Sequence, residues 1–120
     1  MTNVLSVRMP AALKQTIRHN AAESNMTVAQ VVHWILTHAL ASQFSFSALP
    51  DPQQFPDAKL DIRLPAELIA RIRAESERLR TSVSVYCRVI LFAYYTKRLV
   101  AVEIGGRYTL AENHEQKKSA

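Results

Sequence analysis

A chain of 120 residues is one modest domain, or two very small units that must share a core. An apolar content of 48% with 21% charged residues excludes a disordered polyelectrolyte, and no apolar run reaches the ~18 residues that a membrane span needs. The balance of 15 Lys/Arg against 10 Asp/Glu, a net +5, favours a polyanionic partner, and a single cysteine excludes an intramolecular disulfide.

The excess charge is uneven: residues 59–99 hold nine cationic and four acidic side chains, residues 1–40 only three and one. The N-terminus has no basic-then-apolar signal pattern, so a cytoplasmic protein without a membrane partner is expected. Residues 5–36 recur as residues 60–91, without a gap, at a constant offset of 55, and ten of the 32 aligned positions are identical. Each copy is too short to bury a core alone, so the two must pack together about a twofold-like axis.

The first copy opens with Leu5, Val7 and Met9 alternating against Val4, Ser6 and Arg8. Such alternation predicts a strand with one buried face. Pro10 ends it and suits the first turn of a helix. Leu13, Ile17 and Ala21 recur at helical spacing and predict a helix over about 11–24. A polar turn, Asn25-Met26-Thr27, follows, with Thr27 as N-cap of a second helix over about 28–42.

Residues 43–58 break the pattern. Pro50, Pro52 and Pro56 among Ser, Gln and Asp predict a linker, with Phe44, Phe46 and Phe55 pinning it to the outside of the core. The second copy then repeats the order. Leu60, Ile62 and Leu64 alternate against Lys59, Asp61 and Arg63, and Pro65 closes the strand. Leu68, Ile72 and Leu79 mark a helix over about 66–79, and Ser82 caps another over about 83–99. After it, Val100–Ile104 and Arg107–Leu110 flank Gly105-Gly106, a two-residue hairpin signal. From Ala111 the chain is polar, and disorder is expected there. The organisation expected is therefore repeat 1 over 1–42, a linker over 43–58, repeat 2 over 59–99 and a hairpin with a tail over 100–120.

A lone strand cannot satisfy its own backbone groups, but two copies can pair as an antiparallel ribbon above four helices. Such a ribbon has the right width for the major groove of B-DNA. Strand, helix, polar turn and helix, with a strand reading Lys59-Leu60-Asp61-Ile62-Arg63-Leu64-Pro65, resembles the ribbon-helix-helix DNA-binding proteins of the Arc, MetJ and CopG type. The resemblance covers residues 4–41 and 59–99. It implies a mainly α fold with a short two-stranded antiparallel ribbon, a tandem ribbon-helix-helix pseudodimer. It also implies that outward strand residues touch base edges: Val4, Ser6 and Arg8 from the first copy, Lys59, Asp61 and Arg63 from the second. The phosphate grips it implies fall at Thr27, Val28 and Ala29 and at Ser82, Val83 and Ser84, where free helix N–H groups favour an anion.

Two departures stand out. The glycine usual in the inter-helix turn of that family is absent from both copies. Asp61 is an unusual outward residue; it suits either acceptance from a cytosine amine or an ion pair with Arg8, Lys59 or Arg63. The two halves differ, so an asymmetric target is expected, with the second strand contributing more.

The remaining signals are bland. His19, His33, His38 and His114 lack metal-like spacing, Cys87 aligns with Val32 as a small core residue, and Trp34 reads as packing against the linker phenylalanines. No nucleophile elbow, phosphate loop or spaced carboxylate pair is present, so neither catalysis nor a cofactor or metal is expected. The implied function is binding of double-stranded DNA. It serves a transcriptional repressor or a relaxosome-type accessory factor in plasmid or mobile-element transfer, with further self-association on DNA. The alternative is an antitoxin-like interaction protein whose tail at 100–120 engages a toxin partner.

Overall fold

A computed structural model describes residues 1–52 and 58–113. The elements run β1 (Thr2–Met9), α1 (Ala11–Glu23), α2 (Val28–Leu40), a single 3-10 turn at Phe46–Ala48, β2 (Ala58–Pro65), α3 (Ala66–Arg78), α4 (Val83–Tyr95), β3 (Leu99–Ile104) and β4 (Arg107–Glu112).

β1 and β2 pair antiparallel, with Val4 opposite Arg63, Ser6 opposite Asp61 and Arg8 opposite Lys59. Ser6 and Asp61 are themselves separated by the repeat offset of 55, so the pseudo-twofold axis passes between them. The inner face of this ribbon, Leu5, Val7, Met9, Leu60, Ile62 and Leu64, is buried against the four helices. Each helix adds its own stripe to the same core, including Leu13 and Ile17, Val32 and Leu36, Leu68 and Ile72, and Ile90 and Leu91. One contiguous apolar cluster therefore serves both repeats.

The inter-helix turns are equivalent in detail. Asn25 and Arg80, again 55 apart, take positive φ of 54° and 58°. They let the chain reverse with the Met26 N–H on the Ala21 carbonyl and the Thr81 N–H on the Ser76 carbonyl, both at 2.9 Å. The left-handed position usually taken by glycine is thus occupied by a side-chain-bearing residue in both copies.

The expectation of a mainly α chain, a tandem ribbon-helix-helix pseudodimer with one two-stranded ribbon, is overturned. Two separate two-stranded antiparallel sheets are present, and the described residues are 51% helical and 26% strand. The second sheet, β3–β4, is part of the core. Leu99 and Leu110 are fully buried, and the Leu110 N–H donates to Ser42 Oγ at 2.6 Å. The outer side chain Tyr108 of β4 meets the Trp34 and His38 rings of α2, so the hairpin covers an aromatic face that the four helices leave open. Gly105 and Gly106, at φ 60° and 79°, form the tight reversal that brings β4 back.

Two boundaries move with it. α4 ends at Tyr95 and does not run to residue 99, because Lys97 at φ 64° turns the chain and the Arg98 N–H bonds back to the Ala93 carbonyl at 2.8 Å. Ala111 and Glu112, expected in a disordered tail, lie in β4. Phe44 and Phe46 pack on the core, Phe46 stacking on Tyr86 at 5.5 Å; Phe55 falls outside the described residues. Among the described residues, the rings beside Trp34 are His38, Tyr94 and Tyr108 and not the expected linker phenylalanines Phe44 and Phe46. No helix among the described residues is long and apolar enough to cross a membrane.

Candidate nucleic-acid interface

The six strand residues singled out from the sequence, Val4, Ser6, Arg8, Lys59, Asp61 and Arg63, are all exposed on the outer face of the ribbon. The alternation that buries the inner row sends this row outward. The register orders it into three tiers: Val4 with Arg63 at one end, Ser6 with Asp61 at the centre, Arg8 with Lys59 at the other end. Two cations therefore face each other in one tier, while the opposite tier has a cation beside an apolar side chain.

The Arg8 N–H turns away from β2 and donates to Ser84 Oγ at 2.8 Å. Arg8 and Lys59 thus form a non-hydrogen-bonded pair, and by strand period so do Ser6 with Asp61 and Val4 with Arg63. Side chains approach most closely at such pairs. At the centre, Ser6 Oγ donates a hydrogen bond to Asp61 Oδ1. Lys59 Nζ lies 3.9 Å from Asp61 Oδ2, with both side chains about half exposed. Asp61 is held by Ser6 from across the ribbon and by Lys59 from its own strand. The ion pair is too solvated to contribute more than about 1 kcal/mol.

The second group of residues lies at the helix starts beside the ribbon edges. Thr27 and Ser82 cap α2 and α4, their hydroxyls accepting from the Gln30 and Val85 N–H groups at 3.1 Å. Gln30 returns the bond, its Oε1 accepting the Thr27 N–H at 2.8 Å; the matching Val85 cannot. Capping uses the N–H three residues into each helix, so the N–H groups of Val28 and Ala29, and of Val83 and Ser84, are the ones left at the helix tips. Ser84 has a further task, anchoring β1 through Arg8.

Sequence reasoning missed Arg88 and Asp51. Arg88 is buried in α4, where it donates to both oxygens of Asp51 at 2.7 and 2.8 Å, and its Nη1 reaches toward the Arg8 carbonyl at 3.5 Å. Ser84 and Arg88 together hold both outward backbone groups of Arg8. The equivalent positions beside Arg63 are Ala29 and His33, which offer neither a hydroxyl nor a guanidinium. There the strand edge opens on a shallow cleft lined by Ala29, Gln30, His33 and Trp34. The one clue in the sequence was a cation within the apolar run Tyr86-Cys87-Arg88-Val89-Ile90.

Comparison with protein-family models, with curated proteins and with solved structures gives no match to this chain.

Proposed function

We propose that this chain is a double-stranded DNA-binding protein that inserts the β1–β2 ribbon into the major groove. The observation that carries the reading is the outer row of that ribbon. Arg8, Lys59 and Arg63 project from a two-stranded platform whose other face is sealed into the core, with a helix N-terminus at each edge. A two-stranded ribbon fits the major groove, cations suit guanine edges and phosphates, and helix tips suit phosphates. The strand residues that resemble ribbon-helix-helix proteins are the ones in this row. The biological use is occlusion of an operator as a repressor, or an accessory role at a plasmid or mobile-element transfer origin, in the cytoplasm. Self-association on DNA fits either use.

The antitoxin alternative needs a tail free to engage a toxin. Residues 99–112, which include most of the tail expected at 100–120, are folded onto α2 and α4 as a hairpin, and the Asn113 N–H is bonded to the Arg98 carbonyl at 2.9 Å, while residues 114–120 lie outside the described residues.

The test is anisotropy titration of a labelled duplex of about 25 base pairs over a range of salt. Duplex affinity should fall steeply with salt, and the triple variant Arg8→Ala, Lys59→Ala, Arg63→Ala should flatten that dependence by about three charges. Folded protein without salt-dependent duplex binding overturns the reading. Footprints near a promoter or near a transfer origin then separate the two uses.

A further inference from the structure

We propose that the centre of the β1–β2 ribbon is an acceptor-only reading head. It selects an exocyclic amino group, of cytosine or adenine, on one strand at the middle of an asymmetric DNA site. This rests on the DNA-binding reading above and deepens it by assigning base classes to positions along the ribbon.

The argument starts from the hydrogen-bond inventory at the pseudo-axis. A serine hydroxyl has one proton to donate. Ser6 gives it to Asp61 Oδ1, so the outward chemistry left at this tier consists of serine lone pairs and carboxylate oxygens. The nearby cation, Lys59, lies 3.9 Å from Oδ2 and leaves Asp61 half exposed. In the major groove the only base donors are the cytosine N4 and adenine N6 amines; guanine shows two acceptors, and thymine shows one acceptor and a methyl group. An acceptor head against guanine or thymine strips water from both partners and returns no hydrogen bond. The centre therefore discriminates by chemistry.

It also discriminates by strand. A symmetric dimer would place two identical residues about its axis. Here the equivalent positions are a donor, Ser6, and the acceptor it serves, Asp61, so the demand for an amine falls on the DNA strand nearer β2. The end tiers reinforce the polarity. Arg8 with Lys59 suits consecutive guanine edges, whereas Arg63 beside the exposed Val4 suits a guanine next to a thymine methyl. Read along the groove, the order is a doubly cationic end, an amine-seeking centre and a cationic-apolar end. Such a head fixes the direction in which the protein sits on its site.

The experiment is site selection by the full chain from a random duplex library, followed by a cycle on the selected site. The cycle uses the selected duplex and its amine-deleted form, with purine replacing the central adenine or pyrimidin-2-one replacing the central cytosine. Each is titrated with wild type, Asp61→Ala and Ser6→Ala. The selected motif should be non-palindromic with cytosine or adenine on one strand at its centre. Amine deletion should weaken wild type about tenfold more than it weakens Asp61→Ala, which removes the effect of the analogue on the duplex itself. Ser6→Ala should retain the amine preference. A palindromic motif, a degenerate centre, or equal penalties for wild type and Asp61→Ala overturns the inference and leaves DNA binding standing. Absence of binding to any duplex overturns both.

Discussion

Arg88 holds Asp51 through two parallel hydrogen bonds, 2.7 Å from Nε and 2.8 Å from Nη2, with the Arg88 side chain only 11% exposed. A linker carboxylate is thereby tied to α4 and, through the Arg88 contact with the Arg8 carbonyl, to the edge of the ribbon. Among the described residues, Asp51→Ala leaves the guanidinium with that 3.5 Å contact alone. Breaking a buried pair costs about 3–5 kcal/mol, and the partly exposed Asp51 brings the expectation down to roughly 2–3. Urea unfolding followed by circular dichroism measures it. Arg88→Met, which keeps volume and removes the buried charge, should cost less than Asp51→Ala; the reverse order would show that packing around the arginine stem, and not the pair, carries the stability.

The Arg8 N–H has Ser84 Oγ at 2.8 Å, while the equivalent Arg63 faces Ala29. Native-state amide exchange should therefore protect Arg8 more than Arg63. Ser84→Ala should bring the two amides together and cost about 1 kcal/mol, the worth of one hydrogen bond. Ala29→Ser should slow exchange at Arg63. Equal protection of both amides in the wild type would remove the asymmetry on which this expectation depends.

Much of this arrangement was legible along the chain, and what was not has a common cause. The strands, the prolines that end them, and the Thr27 and Ser82 caps are local signals, encoded in period-2 alternation and in residues that suit one backbone position. The tiers of the ribbon were also accessible, because two copies at a fixed offset about an axis dictate which residues face each other. The overall class was misjudged because Gly105-Gly106 announces a reversal without saying where the hairpin docks. That depends on Trp34 and His38, whose rings meet Tyr108 of β4 and which lie some 70 residues away in sequence. Arg88 and Asp51 escaped for the same reason. A cation in an apolar stripe and an acid among prolines have no local mark of being partners 37 residues apart.

Arg80 holds φ 58° without being glycine. An L-residue in the left-handed region costs about 1 kcal/mol, more for Arg than for Asn, whose short polar side chain tolerates it. Glycine removes that strain and adds unfolded-state freedom worth somewhat less. Arg80→Gly is expected to raise stability by up to about 0.5 kcal/mol, and Asn25→Gly to leave it unchanged or lower. Arg80→Ala should not stabilise, since it keeps the Cβ. A chemical denaturation series of the three variants checks the ranking, and a gain in Arg80→Ala equal to that in Arg80→Gly would assign the effect to the charge and not to the backbone.

Cys87 is fully buried in α4, and burial pushes its thiol from the usual value near 9 up to about 12. The neutral thiol is the form the fold accepts. The unfolded chain therefore loses its proton first, and stability falls as pH rises through the interval between the two values. Below about pH 9 the contribution is complete; above it the loss approaches about 1.4 kcal/mol per pH unit. Tyr86 and Tyr95, also raised chiefly by burial, add a second decline that begins nearer pH 10. Urea midpoints at pH 8, 9 and 10 should thus drop progressively in the wild type. Cys87→Ala should start less stable and lose less between pH 9 and 10, where the tyrosines have barely begun to titrate in the unfolded chain. Thiol-reactive dyes at pH 8 should label the native protein only as fast as it unfolds. Rapid labelling of the folded chain, or an unchanged alkaline slope in Cys87→Ala, would show the thiol to be accessible and its burial in the core to be wrong.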